Sequence, residues 1–215
     1  MKKSLSIIMA VVVIVGGGIG LYVALQHNDN ETGAGNTVTN TLVSNANAYM
    51  NVNTATPGTY IGDGFTLLQL PGWIQGHLSG TLVSFHNERE QQPAGSAAAA
   101  INFQSYIAVS FDTTNGRSPA EVYQRTIDDI ISTIDGVNIF DTDDETVNGL
   151  TATFTAMEFV QQDVEYTVMV AVYDAGDRYY VVSFNTTSEL WIEYKDSFYV
   201  VARSFMLKLY SADRV

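Results

Sequence analysis

Twenty consecutive residues near the N-terminus, Ser6 to Leu25, carry no charge, and a chain with such a run has to place it in a bilayer before anything else can fold. As a helix, at about 1.5 Å per residue, the run spans roughly 30 Å, the thickness of a bilayer's hydrocarbon core. Lys2 and Lys3 precede it and Asn28, Asp29, Asn30 and Glu31 come after it. That asymmetry predicts a cytoplasmic N-terminus and an extracytoplasmic remainder. A cleaved signal is the alternative. Its apolar region is shorter, about 7–15 residues, and small residues precede the cut, whereas the best exit here, Tyr22-Val23-Ala24, begins with a bulky ring. Residues 1–25 are therefore expected to be a retained, single-pass anchor.

The chain beyond the anchor has to hold itself together by packing alone. It contains no cysteine, which excludes disulfides, thiolate metal sites and a lipid-modified cysteine. The whole chain carries 10 Lys+Arg against 23 Asp+Glu, a formal charge of −13. Such a surface repels nucleic acid and anionic lipid heads, so neither is an expected partner. Residues 26–57 are dominated by Asn, Thr, Gly and Ala and read as a polar tether. Residues 58–215 have the length of one ordinary domain.

Within that domain, Phe65 to Leu70, Leu82 to Phe85 and Tyr106 to Phe111 are strand candidates bounded by turn formers. Ser118-Pro119-Ala120-Glu121 supplies an N-cap, a proline at the first helical position and a capping-box glutamate. Tyr123, Ile127, Ile130, Ile131 and Ile134 then form an apolar helical stripe, and Gly136 is expected to end the helix. Val137 to Phe140, Leu150 to Val160, Glu165 to Tyr173 and Tyr179 to Asn185 return to strand chemistry. The short connections between the later ones predict antiparallel neighbours. Thr186, Thr187 and Ser188 are alternative caps for a last helix striped with Leu190, Tyr194, Phe198, Val201 and Phe205. Ser96 to Ala100 is expected to be a loop. The sum is an α+β fold, an antiparallel β-sheet sandwiched by helices, preceded by one transmembrane helix.

The order of these motifs resembles the PsbP and Mog1 superfamily of extrinsic domains. The resemblance rests on Gly64-Phe65-Thr66-Leu67 through Leu70-Pro71-Gly72-Trp73, on Val109 to Asp112 with Ser118 to Val122 after it, on Asp177 to Phe184, and on the helix from Trp191 that closes in Val201-Ala-Arg-Ser-Phe205. It implies a twisted antiparallel sheet between helices, and an anchored member of the group implies an envelope location. Photosystem-associated members bind a membrane complex and Mog1-type members a small GTPase, so the fold alone does not transmit a function.

Residue chemistry adds little to that expectation. Asp141, Asp143 and Glu145 share a face if their segment is extended, and oxygen ligands outside a cell suit a weak Ca²⁺ site. An EF-hand loop begun at Asp141 would need Gly and Glu where Thr146 and Ala152 stand, so the run reads first as a solvated turn. His27, His77 and His86 are scattered; His77 and His86 alone can lie near each other, and two imidazoles are an incomplete zinc site. No Gly-x-Ser-x-Gly, Ser-x-x-Lys, His-Glu-x-x-His or Walker lysine occurs. No cofactor, catalytic residue or metal ligand is assigned. The expectation is a non-enzymatic domain that binds a membrane or envelope protein, with Tyr60, Trp73 or Phe85 as conceivable aromatic anchors, although core packing suits each of them better. A small-ligand or Ca²⁺-binding accessory module is the alternative.

Overall fold

The computed structural model describes residues 58–208. In chain order these form β1 (Gly58–Ile61), β2 (Phe65–Gln69), β3 (Ile74–Gly76), β4 (Val83–His86), α1 (Ala97–Ala100), β5 (Tyr106–Thr113), α2 (Pro119–Thr133), β6 (Asn138–Val147), β7 (Leu150–Gln161), β8 (Val164–Asp174), β9 (Arg178–Thr187), α3 (Trp191–Arg203) and β10 (Met206–Leu207). The anchor expected over 1–25 and the tether expected over 26–57 lie outside the described residues. Among those described, no helix is long and apolar enough to cross a membrane.

Two tight turns set the plan of the larger sheet. Asn148 and Gly149 have φ of 50° and 86°, and Gln162 and Asp163 have φ of 51° and 60°. Two successive left-handed residues match the right-handed twist of the strands they join, so β6, β7 and β8 form a long meander. Hydrogen-bonded neighbours run β3-β4-β5-β9-β8-β7-β6 across seven strands, and every pair is antiparallel. A second, three-stranded sheet has the order β1-β2-β10, so the last strand of the chain pairs with one of the first.

Both faces of the large sheet are covered. Along β9, Tyr180, Val182 and Phe184 join a core completed by Phe198, Val201 and Ala202 of α3 and by Phe65 and Leu67 of β2. Tyr179 and Val181 of the same strand join a second core under Val122, Ile127 and Ile130 of α2 and Ala98 of α1. The period-2 alternation of strand side chains makes this division possible. The expected helix-sandwiched sheet is thus present, with the small sheet sharing the α3 side.

α2 begins as its sequence predicts. The Ser118 hydroxyl oxygen accepts from the Glu121 N–H, the Glu121 carboxylate accepts from the Ser118 N–H, and Pro119 opens the helix. Its buried face is rotated from the expected stripe: Val122 and Thr126 are buried with Ile127 and Ile130, while Ile131 is 48% exposed. The helix ends at Thr133, and Ile134 turns extended and stays buried ahead of Gly136.

Three expectations need correction. Ser96 to Ala100 is not a loop: the Ser96 hydroxyl accepts from the Ala99 N–H and caps α1. Thr186 and Thr187 do not cap α3, because they pair with Thr167 and Tyr166 and continue β9; α3 starts after Leu190 with no side-chain cap. Asp141 to Glu145 is not a turn, because its backbone is claimed by the ladder to Ala156 through Ala152 of β7.

Candidate functional site

The short hairpin β3–β4 and the start of β5 place several polar side chains on the α1 face of the sheet. Gly76 lies opposite Ser84, and Ser84 opposite Ala108. Two residues along, on the same face, Ile74 lies opposite His86, His86 opposite Tyr106, and Tyr106 opposite Asn185. A cleft of about 230 Å³ opens there, lined by His77, Ser84, His86, Asn102, Gln104 and Tyr106, with Leu78 and Phe103 as its apolar members. His77 and His86, which the sequence leaves as a possible pair, are thus brought to one cleft; His27 lies outside the described residues.

The rim opposite the hairpin is built by a local device. After α1 the chain turns through Asn102, whose φ is 52°, and the Phe103 N–H donates to the Ala98 carbonyl. This tucks the Phe103 ring inward, 4% exposed, edge-on to Tyr106 and Tyr166 at centroid distances of 6.4 and 5.1 Å. Glu90 pins the preceding loop: its carboxylate accepts from the Ser105 N–H at 2.8 Å and from the Tyr194 hydroxyl of α3 at 2.6 Å. Burial, helped by that carboxylate, raises the Tyr194 pKa well above the ordinary tyrosine value. Asn87 also donates to the Tyr194 hydroxyl, at 2.8 Å.

The acidic run occupies the opposite edge of the sheet. As expected of an extended segment, Asp141, Asp143 and Glu145 share a face, opposite Ala156, Phe154 and Ala152. That face belongs to α3. Arg203 donates from Nε to Glu145 at 2.9 Å and from a second nitrogen to the other oxygen, which holds the Glu145 carboxyl below its usual range. The Tyr199 hydroxyl donates to Asp141 at 3.1 Å, and burial together with that carboxylate pushes Tyr199 up to about 12. Asp144 faces the other way and accepts from the Thr153 hydroxyl at 2.6 Å. Among the described residues no three His, Asp or Glu side chains converge as a metal-binding group. The carboxylates nominated for Ca²⁺ are turned instead to an arginine and a tyrosine.

The aromatic anchors considered from sequence belong to the core. Phe85 and Trp73 are 1% and 5% exposed, and half-buried Tyr60 packs edge-on against Phe85 at 5.2 Å. Asn102, Gln104 and Tyr106 carried no sequence signal, because they reach the cleft through strand register rather than through a motif. Asn148-Gly149 did carry one: between two β-rich runs it specifies a two-residue hairpin, and it would have made the acidic run a strand.

No protein-family model matches the sequence, and no curated protein matches it. Solved structures do. Cyanobacterial PsbP (CyanoP) from Synechocystis sp. PCC 6803 superposes with a TM-score of 0.52 over 77% of this chain and 99% of its own, at 16% identity. PA94 of Pseudomonas aeruginosa, a protein of unknown function, gives 0.50 over 72% and 99%, at 11% identity. LpqN of Mycobacterium tuberculosis, involved in cell-envelope biogenesis, gives 0.49 over 72% and 84%, at 15% identity. Identity this low speaks for architecture and not for activity. The described residues have the PsbP-like α+β fold that the order of sequence motifs implies.

Proposed function

We propose that this chain is a membrane-anchored, extracytoplasmic PsbP-like domain that binds a membrane or envelope protein and has no catalytic role of its own, and that the outer edge of β6 is its docking surface. The observation that carries this reading is the edge itself. β6 is ten residues long, lies at the margin of the seven-stranded sheet, and is exposed from Asn138 through Asp144. Among the described residues no strand pairs with its outer side, so its backbone donors and acceptors can take an added strand. Ile139 and Phe140, 37% and 45% exposed, add apolar contacts at one end.

Charge selects the partner. Asp141, Asp143, Asp144 and Glu145 set against a second copy of the same edge would place like charges opposite one another, which disfavours self-pairing. A basic extended segment of another protein has the complementary pattern. The uncharged run Ser6–Leu25 and the polar residues 26–57 support holding such a domain at, but not on, a membrane surface.

A photo-crosslinking residue at exposed Thr142, in intact cells, tests the reading. The expected product is an adduct with one membrane or envelope protein that weakens with added salt, absent when the probe sits at exposed Gln124 of α2. Failure to capture any protein from position 142, or the same capture from both positions, removes the proposal.

A further inference from the structure

The cleft beside β3 and β4 is a candidate site of a different kind, independent of the β6 edge. Six of its lining side chains, His77, Ser84, His86, Asn102, Gln104 and Tyr106, carry groups able to hydrogen-bond a ligand, and none is a carboxylate, a lysine or an arginine. In a chain of net charge −13, a cleft free of acidic residues is a local exception. Phe103 and Leu78 supply an apolar wall. Its volume, about 230 Å³, falls short of the roughly 300–1,000 Å³ of drug-sized sites, which limits it to a molecule of about one ring.

The sheet behind the cleft shows the same bias. Asn185, the register partner of Tyr106, is 1% exposed, and its Oδ1 has no hydrogen-bond partner among the described residues. Tyr166, whose ring packs edge-on against Phe103, is equally buried, and its hydroxyl also has none. Each such group is destabilising relative to an apolar residue of the same shape. Both lie one residue contact behind the lining, Asn185 through Tyr106 and Tyr166 through Phe103. Gly76 keeps the mouth open, since a Cβ there would stand 3.1 Å from His86 Nδ1 and 3.2 Å from Ser84 Oγ.

The geometry points to a binding site for a neutral, polyhydroxylated single-ring molecule of the monosaccharide class. Hydroxyls of such a ligand meet the imidazoles, amides and hydroxyls of the lining, and its C–H groups meet Leu78. An anionic ligand would find no fixed cation in the lining and would be opposed by the surrounding acidic surface. A cationic one would find no carboxylate.

The test uses the full chain in lipid nanodiscs, which avoids sugar detergents, and saturation-transfer NMR with glucose, galactose, N-acetylglucosamine and glucuronate as separate probes, together with the histidine chemical shifts during a zinc ion titration. Expected is transfer to at least one neutral sugar and little to glucuronate. His77→Ala, at an exposed position, should weaken that binding about three- to tenfold, one hydrogen bond's worth, with an unchanged melting temperature. Gly76→Val should abolish it by filling the mouth. If Gly76→Val fails to fold, Gln104→Leu replaces it. Absence of transfer to every neutral sugar, equal transfer to glucuronate, binding untouched by the variants, or a histidine response to zinc without any response to sugar would each overturn the assignment.

Discussion

Phe205, the residue just past α3, binds the two sheets and the helix to one another. It is fully buried and stacks on Tyr173 at 4.3 Å and on Phe65 at 5.6 Å, and its ring lies 5.2 Å from that of Tyr180. Two residues earlier, Arg203 makes its two-pronged contact with Glu145 and lies 5.1 Å over the Tyr199 ring, yet its side chain is 51% exposed. Magnitudes rank these two neighbours. Truncating a large buried aromatic leaves a cavity and costs about 3–5 kcal/mol, whereas an exposed ion pair contributes about 0–1 kcal/mol and is screened by salt. Phe205→Ala should therefore lower unfolding stability, read from urea titration, several times more than Arg203→Met does. The Arg203→Met loss should shrink further in high salt. A larger loss at Arg203 would mean that the β6–α3 contact is far less hydrated than its exposure indicates.

At the scale of elements, what was legible in the sequence is what local chemistry decides. α2 is the clearest case, because its start is written in four adjacent residues and both arms of the capping box form. Ser118→Ala should cost about 1 kcal/mol, within the usual 0.5–2 kcal/mol for a lost cap, measured by thermal unfolding. Ser118→Asp should recover most of that loss, whereas a purely global effect would leave the two variants equal. The elements missed or misread are those whose partners are distant. β10 is two residues long and exists because Met206 and Leu207 meet Thr66 and Phe65 across the domain. Thr186 and Thr187 have cap-like side chains, but the ladder to β8 holds their backbone. β6 was hidden by its charge, since four acidic residues in five look like solvent-facing turn until Asn148-Gly149 is read as the hairpin that folds them onto β7. The cleft was the least legible feature. Strand register assembles it, and of its lining only His77 and His86 drew attention in the sequence, as a two-imidazole pair too small for a metal site.

For the molecule as a whole, a domain without cysteine is held by two apolar cores on either side of one sheet, and tyrosines supply much of both. Tyr166 and Tyr179 sit in the α2 core, 1% and 6% exposed, and burial pushes each up to about 12 from an ordinary value of 10.0. Tyr173, fully buried in the α3 core, is raised well above the ordinary value by burial and then by the Glu145 charge, and its hydroxyl donates to the Ala202 carbonyl at 2.8 Å. These shifts fix how stability depends on alkaline pH. Below pH 10 the phenols are protonated in both the folded and unfolded chains, and their contribution is fully present. Between about 10 and 12 the unfolded chain releases protons that the folded one retains, so stability falls as pH rises, by on the order of 2–3 kcal/mol for each of Tyr166 and Tyr179. Because the tyrosines lie on both faces, the loss should be shared by both cores and appear as one cooperative transition. Phenolate absorbance should lag behind a free-tyrosine titration and then rise together with the loss of near-ultraviolet circular dichroism. Phenolate from all twelve tyrosines forming near pH 10 while the dichroism stays native would show that the buried hydroxyls reach water in the folded domain, and the two-core account would then be wrong.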